Sequence, residues 1–546
     1  MLRNSLTSLV VTLTLVVAGC GGSSGSDAPP HPPPPVDAIS NAETFQFLNQ
    51  ASFGATEAEA QRVIDMGLAD WIDEQLQRPA SLQLPYLKSL PRPAFLFELQ
   101  DDRLDIWFRN VVNGDDQLRQ RVAFALSEIM VVSQVGALVD HTYSLADYYD
   151  ILARNAFGNY RDLIEEVTLH PAMGVYLSML GNEKPNAALN IRPDENYARE
   201  LMQLFSIGLV ELNIDGSVRL DGFGQPIPTY DQPVIEGFAH VYTGWTYAGA
   251  PHFHLAFPND NNQTVPMQLY PAFHDAGPKQ LLNGVMLPGG QDGDEDLSAA
   301  LDNIFSHPNI GPFIAIRLIQ RLVTSNPSPA YIQRVASVFN NNGSGVRGDL
   351  GAVVRAILLD PEARPESPMD LDGKIKEPLL RLTQVWRAYD ATSASGRYPL
   401  LAASIFFGQG PLQAPSVFNF FSPFYAPPGE IRDSSLVAPE LQIATEYQNT
   451  LVTNYMLFQA IGLTSESTGL AEEDVYIDID AEMAIAADTD ALIEMVSDKL
   501  LAGRISATLE AEVKGMINRI PPSQAAIRVG EAIYFIATSP EFAYQR

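Results

Sequence analysis

The chain has one cysteine, Cys20, so no disulfide can form within it and its stability must come from a buried core. Basic residues are scarce: 34 Lys and Arg stand against 65 Asp and Glu, a formal net charge of −31. Nucleic acid and anionic lipid are held nonspecifically by basic surfaces that displace counter-ions, so this balance excludes both as nonspecific partners. Outside the Gly/Ser run that follows Cys20 there is no Gly-x-Ser-x-Gly elbow, and there is no Gly-rich nucleotide loop, Cys-x-x-Cys-His haem attachment or zinc-knuckle spacing. What is present is apolar material, 46% of the residues, enough for a large core.

The N-terminus orders its residues as an export signal does. Arg3 precedes an apolar run from Leu9 to Val17, too short for the roughly 20 residues a bilayer span needs. Val17-Ala18-Gly19-Cys20 follows and resembles a bacterial lipobox, which implies diacylglycerol on the Cys20 sulfur and a mature chain that starts there. Gly21 in the next position, rather than Asp, implies sorting to the outer membrane of a two-membrane cell. Residues 1–19 thus read as a lipoprotein signal peptide and residues 20–39, rich in Gly, Ser and Pro, as a tether.

The remainder reads as mainly α: a helical core domain over 40–464 with an irregular insertion at 215–296, and a C-terminal helical part of the same domain over 465–546. Thr56-x-x-Glu59 has the form of a capping box and predicts a helix that ends near Gly67. The insertion is dense in Gly, Pro, Asn and Asp with short apolar runs, which predicts a few short strands. Val475, Ile477 and Ile479 alternate with polar neighbours in the acidic stretch 472–490 and predict another. Two segments, Pro312 to Leu359 and Leu492 to Thr538, share one order of helices and are followed by Asp360-Pro361-Glu362 and Ser539-Pro540-Glu541, the pattern of a diverged duplication.

The segment Arg192 to Leu209 predicts a helix with Asp194 as N-cap and a buried stripe of Tyr197, Leu201, Leu204, Phe205 and Gly208. Glu200 falls at the edge of that stripe and Arg199 opposite it, and Glu195 to Arg199 has the favoured order of an i,i+4 ion pair. Two uses of this cluster are open: a structural lock, or a tuned acid, base or ligand at Glu200.

The chain resembles the bacterial family of domain of unknown function 1800. The resemblance rests on Glu195-Asn196-x-x-Arg199-Glu200-Leu201 and on Asn155 to Leu163 leading to His170-Pro171-Ala172-Met173. It continues through Thr243-Gly244-Trp245, His274-Asp275 with Lys279, His307-Pro308-Asn309, Lys376-Glu377-Pro378 and Ala414-Pro415-Ser416-Val417. It implies export, and a partner of domain of unknown function 1501 encoded nearby; it implies no reaction and no cofactor.

Four of the eight histidines lie in the insertion: His240, His252, His254 and His274. His252-x-His254 presents two imidazoles on one side if extended, and His274-Asp275 adds a nitrogen and a carboxylate. If the insertion folds over the central helix, Glu195, Glu200, His274 and Asp275 form a mixed nitrogen and oxygen site for a divalent metal ion. Such a site activates water, with Glu200 as acid or base and Arg199 or Lys279 stabilising negative charge. Asp292, Asp294 and Asp296 resemble a calcium loop, but Leu297 stands where glycine is required, and a helix N-terminus fits them better. Trp245, Tyr247, Phe253, Phe420, Phe421 and Tyr425 supply an aromatic floor for a sugar polymer if they are exposed. The two functional expectations are a tethered envelope protein that binds or scaffolds an exported partner or polymer, and a metal-dependent envelope hydrolase.

Overall fold

Helical periodicity and well-placed caps dominate the computed structural model, which describes residues 39–365, 372–400 and 402–545. The signal sequence, Cys20 and all but the last residue of the tether lie outside the described residues. The protein is mainly α: the described residues form 24 α-helices and, as strands, only two-residue pairs in small antiparallel sheets. Ile39–Arg546 is one compact unit, and one hydrophobic cluster runs from Phe45 to Phe542, so the 465–546 segment shares the core of what precedes it. Among the described residues no helix is long and apolar enough to cross a membrane.

Local signals act as expected at several ends. Thr56 caps the helix Glu57–Met66 by accepting from the Glu59 amide, and Gly67 (φ +89°) ends it. Val475, Ile477 and Ile479 are buried in an extended segment that bridges to Thr392 and Thr464. The two segments read as a duplication share their architecture. Ile310–Leu322, Pro329–Asn340 and Leu350–Leu359 make the first three-helix unit, and Thr489–Leu501, Ala507–Ile517 and Ala525–Ala537 the second. In each, the serine that caps the middle helix donates its hydroxyl to the glutamate of the following Pro-Glu turn. Ser328 reaches Glu362 and Ser506 reaches Glu541, over 34 and 35 residues. Buried positions also match in order: Leu350, Val353, Val354 and Ile357 in one, Val529, Ala532, Ile533 and Ile536 in the other. Each such Leu, Val or Ile side chain contributes about 1.5–3 kcal/mol of burial, so the match conserves the packing that holds each unit together.

The insertion departs from the expectation in one respect. Between its irregular parts lies a regular helix, Gln232–Val241, capped by Asp231 and buried through Val234, Ile235, Phe238 and Val241. Lys279–Gln280 packs against it at Gly237, where a Cβ would sit 1.9 Å from the Gln280 carbonyl oxygen, so only glycine admits that approach. Before the helix, residues 209–229 form a protrusion of three short segments bridged in a closed triangle: Val210 to Pro228, Leu212 to Val218 and Leu220 to Pro226.

Candidate functional site

The central segment does not form the continuous α-helix its stripe predicts. An α-helical turn over Asn196–Glu200 widens into a π-helical turn over Leu201–Ser206. Glu195, not Asp194, holds the N-cap position, while Asp194 Oδ1 accepts from the Asn196 amide at 2.8 Å. Tyr197, Leu201 and Phe205 are buried as the spacing requires. The wide turn is closed by Ser206 Oγ, which donates to the Leu201 carbonyl at 2.6 Å. Turns of this kind are rare and recur at functional sites.

Glu200 stands at the junction of the two turns, buried, with no partner for its Oε2. Burial raises its carboxyl above the ordinary range and Arg199 opposes the shift. The Tyr230 hydroxyl also has no partner; burial pushes it up to about 12, with Arg199 lowering it and Glu200 raising it. Arg199 itself binds Glu195 at 2.9 Å, the pair that the sequence spacing predicts, and Gln232 donates to the other Glu195 oxygen at 2.9 Å.

His274, Asp275 and Lys279 form a second cluster. Asp296 lies in the first turn of the helix Gly293–Ser306, which Asp292 and Glu295 cap reciprocally. Its Oδ2 binds Lys279 Nζ at 2.5 Å and His274 Nε2 at 3.0 Å, all three side chains being buried. His274 Nδ1 faces the Thr243 carbonyl at 3.0 Å. Lys279 donates twice more, to the Asp275 carbonyl at 2.5 Å and to that of Gly277 at 2.9 Å, so its three N–H bonds are all engaged. Asp275 takes a hydrogen bond from the Gly277 amide at 2.8 Å and pairs with His240 Nδ1. Burial acts to raise its carboxyl, but the Gly277 amide, His240 and Lys279 together hold it below the usual range.

The two clusters stay apart. Glu195 meets the Gln232 end of the insertion helix and Asp275 meets His240, and at about 1.5 Å per residue these lie roughly 12 Å apart along the axis. Glu195, Glu200, His274 and Asp275 are therefore not gathered into the predicted metal site. Among the described residues no group of three or more His, Cys, Asp or Glu is placed to hold a metal ion. His252 caps and His254 lies within a 3-10 turn, Phe253–Leu255, rather than a strand, with His254 at 3.6 Å from Glu183. The aspartates of 292–296 cap and open a helix, as their position before Leu297 suggested. Trp245, Tyr247, Phe253 and Phe421 are core residues, which removes the aromatic floor.

A buried charge network escaped the sequence reading. Arg321 binds Glu128 at 3.2 Å and lies 3.8 Å from Glu377; Lys374 lies 3.5 Å from Glu377 and binds Glu440 at 3.0 Å. Gln409 donates to Glu128 and Glu377 at 3.0 and 2.5 Å, and Phe421 covers the Arg321 guanidinium at 4.5 Å. Burial pushes the Glu128 carboxyl up to about 8. Burial also acts to raise Glu377, yet Lys374, Arg321, Arg121 and the Gln409 hydrogen bond overcome it and hold its carboxyl below the ordinary range. The available signal was Lys376-Glu377-Pro378 and Phe421, each singled out in the sequence without a shared role.

These features define a class: a mainly α protein whose recurrent polar motifs fasten an insertion to a helical body. The chain belongs to the DUF1800 family, described as a protein of unknown function, and the family model matches residues 46–544. No curated protein and no solved structure matches the chain.

Proposed function

We propose that this chain is an exported, lipid-anchored cell-envelope protein, tied to the outer membrane through Cys20, that binds an exported partner with the protrusion at 209–229. The observation that carries the reading is Phe223, 91% exposed in the 221–225 turn, with Leu209, Ile214, Val218 and Leu220 of the same protrusion also exposed. An exposed apolar cluster on a soluble body marks an interaction surface. The tip is also preorganised: Asp221 Oδ1 accepts from the Phe223 and Gln225 amides at 2.8 and 2.9 Å, and Gly224 takes a φ of +78°. A rigid apolar tip binds without the entropic cost of ordering a loop. By contrast, Arg199, His274 and Lys279 are engaged internally. The partner is the exported protein of domain of unknown function 1501 that the family resemblance implies.

The test is co-purification of that partner with the full chain from membrane extracts. Phe223→Asp abolishes capture and leaves the thermal midpoint unchanged, whereas capture undiminished by Phe223→Asp removes the reading. Labelled fatty acid on the chain, lost in Cys20→Ser, tests the anchor separately. A second reading, an envelope hydrolase, is favoured by the unpartnered Glu200 Oε2 beside the unpartnered Tyr230 hydroxyl. Its signature is an activity on a cell-wall or ester substrate that Glu200→Gln removes.

A further inference from the structure

Three lysines are buried, and they divide by company. Lys279 rests on Asp296, and Lys374 on Glu377 and Glu440. Lys376, 5% exposed, has no carboxylate within 4.0 Å among the described residues. Its ammonium donates to Gln384 Oε1 at 2.5 Å and sits 3.7 Å over the Phe542 ring. A buried cation is retained at a cost of several kcal/mol unless a counter-charge meets it.

Lys376 lines a cavity of about 400 Å³ that opens to solvent. Such a volume falls in the range of small-molecule sites, roughly 300–1,000 Å³. Gln46, Asn49, Leu500, Leu501 and Tyr544 line it too. The carboxylate in its wall, Glu541, is held by the Ser506 amide at 3.0 Å and by the Ser506 hydroxyl. Burial, with the Arg381 guanidinium nearby, pushes the Lys376 ammonium well below the usual lysine range.

We propose that this cavity binds a small organic monocarboxylate, whose anionic end supplies the counter-charge that Lys376 lacks and whose apolar body lies against Leu500 and Leu501. The Lys376 ammonium and Arg504 beside leucines and amides suit an amphipathic organic anion with one charged end and an apolar body. The site stands apart from the 209–229 protrusion and does not depend on the partner-binding reading.

The test uses the full chain in neutral detergent, with benzoate as probe and benzyl alcohol as its uncharged counterpart, read by calorimetry and by thermal shift. Benzoate binds saturably and raises the midpoint, and benzyl alcohol binds at least about tenfold more weakly. Lys376→Met loses benzoate binding while its ligand-free midpoint stays equal or rises, because an unpaired buried charge has been replaced by an apolar side chain. Leu501→Trp narrows the cavity, leaves the ammonium in place and also weakens benzoate, which keeps the test informative if the first variant misfolds. Absence of saturable benzoate binding, equal binding of benzyl alcohol, or unchanged binding by Lys376→Met overturns the proposal.

Discussion

Arg321 and Lys499 occupy matching places near the ends of the first helices of the two three-helix units, seven residues before the serines Ser328 and Ser506. Their surroundings differ. Arg321 enters a sealed network with Glu128 and Glu377 beneath Phe421, whereas Lys499, over the Tyr389 ring, pairs with buried Glu482 at 2.7 Å and with exposed Glu57 at 3.8 Å and keeps 12% of its side chain exposed. Lys374 and Lys376, two residues apart, repeat the contrast: the first is sealed among carboxylates, the second faces an open cavity without one. The lesson is that this fold spends its buried charges in two ways. Where they are closed in, opposite charges and Gln409 meet them internally, although Arg321 Nη1, Glu128 Oε2, Glu377 Oε1 and Glu440 Oε2 keep no hydrogen-bond partner; where a cavity reaches them, a ligand has room to enter.

The largest expected effect is in the sealed network. Glu377→Leu strips Lys374 and Arg321 of a shared carboxylate and destabilises the chain by about 3–5 kcal/mol, measured by chemical denaturation. A loss under 1 kcal/mol would mean that the network is not closed as described. Arg321→Met is expected to follow, with Lys499→Met costing less than half as much, since water reaches Lys499 and screens its pair. Equal losses would erase the contrast between the units.

The pH dependence sharpens the same comparison. Burial lifts Glu128 to about 8, so the folded state holds a proton that the unfolded chain releases near the ordinary glutamate value. That contribution is complete below about 4.5 and is lost as pH rises toward 8. Glu128→Gln, which keeps the hydrogen bonds of the protonated form, should therefore flatten the decline in thermal midpoint between about pH 5 and pH 8. At the small end, Arg199→Ala removes a partly exposed pair and shifts stability by less than about 1 kcal/mol.

Much of the fold was legible because its causes are local. Thr56, Glu59 and Gly67 sit within one helix, and the matching order of Pro312 to Leu359 and Leu492 to Thr538 is visible as pattern. The helix Gln232–Val241 was obscured by its glycine and by flanking Gly and Pro, although Asp231 with Pro233 is a start signal. The π-turn after Glu200 leaves no mark, because the same residues satisfy an α-helical stripe. At the candidate site, the Glu195–Arg199 pair was readable from spacing, and the engagement of Lys279 was not. Its partner Asp296 belongs to the next helix, and nothing in sequence order brings Glu128, Arg321, Glu377 and Gln409 together.

The central claim is that the 209–229 tip, and not the polar motif around Glu195 and Arg199, is the working surface. Calorimetric titration of the purified exported partner against the parent chain, Phe223→Asp and Arg199→Ala tests it most directly. The account predicts at least about tenfold weaker binding for Phe223→Asp and parental affinity for Arg199→Ala. The reverse ranking, with Arg199→Ala weakened and Phe223→Asp unaffected, would contradict it.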